Sequence, residues 1–456
     1  MSGATHGAGP RVVRAQLMHV PRDPFEVGDA ALECWHDGAL VLDADGVIED
    51  VGEASALLPR YPGRPVVDAR GALVLPGFVD AHVHFPQIGV LGALGLPLLR
   101  WLQERTFPHE SRFVDDGFAR REARTFLRLL AANGTTSALV FGAHTASAME
   151  AFFEEAERSG LRLAAGLVVS DRDLPDALVT TPERAYAESE ALARRWHARG
   201  RLRYAVSPRF APTCSDGVLA ACGALALERP ELLVTSHLNE TSAEIALVRE
   251  RFPRDGDYLA VYERHGLVGS RSVFAHDLHP HDDELRRLAA VGAAVAHCAS
   301  SNAFLGSGAF ALARHRSAGV RVALGSDVGA GTDLSLLHEA RQAYLTQRAL
   351  GEAGEPLTAA HLLWLATRAG AEAIGLGARV GDLSPGRAAD LVVLRPRDGT
   401  TLAAVLEHAE GPETVLGAYL TLGREDAVAE TWVQGGVVHR RADGARITAG
   451  GPAVQA

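Results

Sequence analysis

Between Leu73 and Val328, short apolar runs alternate with longer amphipathic segments, and the alternation repeats eight times. The runs are "ALVLPGFVDAHVH", "GTTSALVFG", "LRLAAGLVVSD", "LRYAVSPRF", "LLVTSHLNE", "SVFAHDLH", "AAVAHCASSN" and "VRVALGSDVG". They are rich in β-branched residues and nearly continuous in apolar character, as strands buried on both faces must be. The segments between them read as helices. "SAMEAFFEEAERSG" and "DDELRRLAAVG" carry apolar residues at helical spacing and close on glycine. Strand then helix, eight times over about 250 residues, is the count and size of a (β/α)8 barrel. "SLLHEARQAYLTQRAL" and "TAAHLLWLATRAGAEAIG" read as closing helices.

The flanks have a different rhythm. "GALVLDADGVIEDVG" places "DADG" as a hairpin turn between alternating stretches. "AADLVVLRP" and "ETWVQGGVVHRRADG" repeat that style near the other end. The pattern predicts a small β-sandwich domain built from residues 1–75 and 381–456, beside a barrel spanning residues 76–380.

Composition narrows the function. A net charge of −11 argues against a nucleic-acid partner, which needs a basic face. No run of about 18 apolar residues appears, so no membrane span is expected. "MSGATHGAGPRVV" lacks the apolar core of a signal peptide. Cys34, Cys214, Cys222 and Cys298 are scattered without a C-x-x-C pair. That usage predicts buried thiols in a reducing, cytoplasmic compartment.

In such barrels the active site lies at the C-terminal ends of the strands. The first run ends in His82 and His84, and the fifth in His237 with Glu240 three residues on. The sixth carries His276, the seventh His297, and the eighth ends in Asp327; the fourth ends in Arg209 and Phe210. With 19 histidines in 456 residues, about one H-x-H pair arises by chance. A second pair, His279 and His281, follows its strand and precedes an acidic helix start, so it reads as a solvated loop. Residues two apart in a strand share a face, so His82 and His84 both point into the barrel mouth. There they meet the other rim residues. Three or four imidazoles and one carboxylate with an open position suit Zn²⁺, with Fe²⁺ as the competitor. All 45 basic residues are arginine. With no lysine to carbamylate and no carboxylate in "RYAVSPRFAPT", a single metal is expected. His297 reads as structural. "HAE" at His408–Glu410 lacks the P-C-x-x-C of cytidine-type zinc deaminases and is read as chance.

"LPGFVDAHVHFPQ", "SHLNE", "AHDLH" and "LGSDVGAGTD" resemble the mononuclear deaminase branch of the amidohydrolase superfamily, and "VGDLSPGRAADLVVL" resembles its C-terminal segment. "HFPQ", "WLQERTFPHE", "SPRFAPTCSDGVL" and "HCASSNAFLGSG" are similar, in the same order, to blocks of the guanine deaminase family. Ala299, Ser300 and Ser326 depart from that family's usual proline, asparagine and threonine. The resemblance implies hydrolytic deamination of guanine to xanthine and ammonia, by a homodimer acting on a small-molecule purine. Alternatives are a sister amidohydrolase acting on 8-oxoguanine, a pterin or an s-triazine, and a catalytically silent scaffold. Carried over, His82, His84, His237 and Asp327 would hold the metal. His276 would be a further ligand or a partner of the bound water. Glu240 would shuttle protons, Asp327 would take the proton of the water, and His276 would help stabilise the oxygen of the tetrahedral centre. Gln87, Arg209 and Phe210 would hold the base, with His84 and His237 beside it.

Overall fold

The computed structural model describes residues 9–442 and the backbone of Thr448–Gly450. Residues 1–8, 443–447 and 451–456 of the expected terminal domain lie outside the described residues. All eight expected runs form strands: Phe78–His84, Thr135–Phe141, Arg162–Gly166, Leu202–Pro208, Leu233–Leu238, Ser272–His276, Ala294–His297 and Arg321–Leu324. Each pairs in parallel with the next. Every residue of the first two strands is buried, which accounts for their unbroken apolar character. A short extra strand, Val168–Val169, pairs with the end of the fourth.

The barrel closes just past its last strand. Asp327 N–H donates to His82 O at 2.9 Å and His84 N–H donates to Val328 O at 3.0 Å. A Cβ on Gly325 would lie 2.9 Å from the His82 Cβ, so a residue without a side chain lets the two strands meet. Closure therefore draws Asp327 against the H-x-H pair.

The two chain ends combine into a second, largely antiparallel sheet. Its order is Gly436–Arg440, Val428–Val433, Leu391–Leu394, Val66–Pro76, Arg11–His19, Glu33–Leu42, Ile48–Glu53, with Thr448–Gly450 also against Val66–Pro76. "DADG" turns between Glu33–Leu42 and Ile48–Glu53, and Asp43 Oδ1 accepts from the N–H groups of Asp45 and Val47, both at 2.8 Å. Val13, Leu17, Leu40, Val74, Leu391 and Trp432 fill a core of their own. The run "ALVLPGFVDAHVH" is two strands, one per sheet, divided at Gly77, where a Cβ would lie 2.3 Å from the Thr136 side chain.

Two helical details differ from expectation. "TAAHLLWLATRAGAEAIG" forms two helices, Ala359–Ala366 and Arg368–Ala373, broken at Thr367, whose hydroxyl bonds back to Leu363 O at 2.6 Å. The C-terminal part, read as β throughout, also contains Thr401–Leu406 and Pro412–Leu422. Thr400 caps the first, and Pro412 sits in the first turn of the second after Gly411. Among the described residues, no helix is long and apolar enough to cross a membrane.

Candidate active site

The first strand presents His82 and His84 to the barrel mouth, both buried, while Val83 points away into the main hydrophobic core. His237 lies near the end of the fifth strand, followed by Asn239 and Glu240. His276 ends the sixth strand at φ 74°, and Asp327 follows the eighth at φ 47°. Left-handed backbone at a histidine and an aspartate is costly, and it turns both side chains inward at the rim.

These side chains meet at one point. His84 Nε2 lies 3.1 Å from His82 Nε2 and 3.2 Å from His237 Nε2. Asp327 Oδ1 lies 3.2 Å from His82 Nε2 and 3.1 Å from His84 Nε2, and His276 Nε2 lies 3.8 Å from Asp327 Oδ2. Ligand bonds of 2.0–2.1 Å to a first-row metal give polyhedron edges of about 3.0–3.4 Å. The ligand atoms of His82, His237, His276 and Asp327 all fall within 4.8 Å of one another, so the donor set fits one metal ion.

The surrounding groups set the imidazole tautomers. His237 Nδ1–H donates to Arg209 O at 2.7 Å and His276 Nδ1–H donates to Asn302 Oδ1 at 2.9 Å. Both leave Nε2 as a lone pair facing the centre. Burial keeps His82, His84 and His237 neutral, with His84 lowered to about 4. Burial raises the Asp327 carboxyl, but His82 and His84 outweigh it and hold Asp327 well below the usual carboxylate range. Asp80, beneath the pair, accepts from Ser326 Oγ at 2.5 Å, from Ser326 N at 3.0 Å and from His82 N at 3.1 Å. Ser326 thus keeps the hydroxyl that its position needs.

Above this centre lies a cavity. His84, Gln87, Arg209, Phe210, His237, Glu240, His276 and Asp327 all line it. Glu240 Oε2 stands 3.4 Å from His276 Nε2, and its other oxygen accepts from Ser307 Oγ at 3.1 Å. Burial, reinforced by Asp327, pushes Glu240 up to about 8. The second H-x-H pair is exposed: His279 bonds to Ser307 O, and His281 N–H is held by Glu284 at the helix start. His297 is buried, stacks on Phe310 at 4.3 Å and lies outside the cavity.

Gln87 and Arg209 are more committed than the sequence suggested. Gln87 Nε2–H donates to Glu110 Oε1 at 2.8 Å, and its Oε1 accepts from Gly329 N–H at 3.0 Å. Arg209 Nη1 reaches the same Glu110 carboxylate at 3.1 Å and stacks over Phe107. One amide hydrogen and one lone pair of Gln87 remain for a ligand. Sequence reasoning missed Glu110 as a functional residue, and also the apolar wall of Leu98, Trp101, Leu102, Leu305 and Ala330. The wall comes largely from helical residues 98–110, whose π-turn Leu102–Thr106 has no sequence signal, although such turns often mark functional sites.

A barrel with this rim defines a metal-dependent hydrolase class, and comparison with known proteins agrees. The chain belongs to the amidohydrolase family, whose model matches residues 73–438. Within it, the chain is 53% identical to a "Probable guanine deaminase" of Deinococcus radiodurans, over 94% of this chain and 99% of that protein. It superimposes on the solved E. coli guanine deaminase with a TM-score of 0.89 at 37% identity, covering 95% of this chain and 99% of that one. A guanine deaminase from C. acetobutylicum, solved with bound guanine in the active site, matches with a TM-score of 0.87 at 26% identity, covering 94% and 100%.

Proposed function

We propose that this chain hydrolyses guanine to xanthine and ammonia, with one divalent metal held by His82, His84, His237 and Asp327 and with His276 beside them. The observation that carries the reading is the cavity itself. It joins a buried three-histidine, one-carboxylate centre to a protonatable glutamate and to a wall bearing Arg209, Gln87 and Phe210. The similarity to guanine deaminases over nearly the whole chain supports the same substrate. The donor set favours zinc. Four free cysteines, three of them buried, support a cytoplasmic location, and family resemblance supports a homodimer.

A bound metal supplies a water acidic enough to lose its proton near neutral pH. Asp327, held ionised by His82 and His84, would accept a proton from such a water. Glu240 keeps its proton to neutral pH and above. It donates to the ring nitrogen next to C2, making that carbon electrophilic. Water adds its oxygen to C2, Asp327 passes a proton to the amino nitrogen, the C–N bond breaks to release ammonia, and the remaining hydroxyl proton returns to Glu240 as the C2 carbonyl forms. Arg209 directs donors to O6 and N7 of the base, and Phe210 packs on the ring. Adenine has an amino group where guanine has O6, which would set a donor against an Arg209 donor, so it is rejected.

The test is ammonia release from guanine, 8-oxoguanine, adenine, cytosine and s-triazines by the metal-loaded protein. Guanine is expected to be among the best substrates. A clear preference for another ring, with guanine inert, would overturn the substrate and leave the hydrolase class standing.

A further inference from the structure

We propose that Glu110 is a positioning residue that fixes the sense of Gln87 and compensates the charge of Arg209, so that the site selects an uncharged purine. The proposal rests on the guanine reading. It stands on one buried carboxylate with three partners from three different strand ends. Glu110 is 3% exposed and does not line the cavity. Gln87 follows the first strand, His144 the second and Arg209 the fourth. Glu110 Oε1 accepts from Gln87 at 2.8 Å, Glu110 Oε2 accepts from Arg209 at 3.1 Å, and His144 Nε2 lies 3.2 Å from Oε2 at an angle that misses a hydrogen bond.

Two consequences follow from elementary electrostatics. First, the Gln87 amide has one allowed orientation. Flipping it would set its oxygen against the Glu110 carboxylate and its NH₂ against Gly329 N–H, losing two buried hydrogen bonds at once. What the amide offers a base is therefore set before the base arrives. Second, the Glu110–Arg209 pair is neutral as a unit, although Arg209 still presents donors to the cavity. A buried guanidinium without that carboxylate would draw its counter-charge from the ligand. The wall is thus matched to neutral guanine, and a base that has lost a proton gains nothing from it.

The test compares the wild type with E110Q and E110D. Metal content and melting temperature check the fold. E110Q is expected to keep its metal and to raise KM for guanine by about tenfold or more, while kcat changes by less than about threefold. Its inhibition by xanthine is expected to tighten as pH rises and xanthine becomes an anion, whereas in the wild type it does not. E110D keeps the charge but shortens the reach to Gln87, so it is expected to raise KM without the pH-dependent tightening. Unchanged KM in both variants, a loss confined to kcat, or metal loss in both would overturn the proposal and leave Glu110 an architectural residue. If the wild type releases no ammonia from guanine, the functional reading fails separately. Xanthine binding across pH, which needs no turnover, then decides the assignment of Glu110: tightening in E110Q alone upholds it, and equal pH dependence in both proteins overturns it.

Discussion

Glu240 owes its freedom to Glu244. The helix Ser242–Arg251 opens with a capping box in which Thr241 Oγ1 accepts from Glu244 N–H, while Glu244 Oε2 accepts from the N–H groups of Glu240 and Thr241. The orphan amides at the helix start are thus satisfied by Glu244, and the Glu240 carboxyl is left for the cavity. Glu240→Gln should therefore keep the metal and lose roughly 10²–10⁴ in kcat; near-normal turnover in a metal-replete variant would remove Glu240 from the chemistry. Glu339 makes a different prediction. It is fully buried, accepts from Ser300 N–H at 3.1 Å and also from the Ser300 hydroxyl, and burial pushes it from 4.5 to about 8. The folded state then binds a proton that the unfolded chain releases between those values. Its contribution to stability is complete below pH 4.5 and lost as pH rises through about 8. In Glu339→Gln that loss, up to about 1.4 kcal/mol per pH unit, should vanish. Chemical denaturation of both proteins between about pH 5 and about pH 8.5 reads it, and parallel curves would contradict it. At this scale the rim histidines were legible because strand period and strand ends are written locally. Glu110 was not, because its three partners lie 23 to 99 residues away, and nothing local to "FPHE" announces them.

Among the elements, the closure of the first strand on the segment after the eighth does the most for the site. That segment is tightly wound: Gly331 N–H donates to Asp327 O at 2.6 Å, and a Cβ at Gly331 would fall 1.7 Å from Ser326 O. Gly331→Ala must push this turn outward, and Asp327 moves with it. The variant should bind metal at well under one equivalent while its β-sheet circular dichroism stays native; full metal occupancy would show that the turn adapts. The barrel strands could be read from sequence because burial on both faces leaves an unmistakable apolar run. The helices at Thr401–Leu406 and Pro412–Leu422 were overlooked between β-rich neighbours, although Thr400 and Gly411-Pro412 mark their starts. The unbroken run through Gly77 hid a change of sheet, since apolar character alone does not say which core a strand serves.

On the scale of the whole molecule, the two sheets are joined at the end of the barrel away from the chemistry. Arg162, at the start of the third barrel strand, pairs through two bonds of 2.7 and 3.2 Å with Asp390, just before Leu391–Leu394 of the terminal sheet. Both side chains are at most 4% exposed, so neither partner can fall back on water. Asp390→Ala should cost about 3–5 kcal/mol by stranding a buried guanidinium. The folded fraction should retain metal and kcat, because the bottom of a barrel carries stability and its top carries catalysis. A loss of kcat without loss of stability would reverse that division. Both chain ends were readable as β from their turns, but which strand meets which depends on contacts hundreds of residues apart, and no local pattern encodes them.

The proposed hydrolysis of guanine needs a metal centre and a base-recognising wall in one cavity. The most direct measurement is the conversion of guanine to xanthine, followed by ultraviolet absorbance, on protein of known metal content before chelation, after it and after metal is restored. Turnover is expected with about one metal per chain, lost on chelation and regained when the metal returns. Metal-replete protein that leaves guanine unchanged would contradict the proposed function.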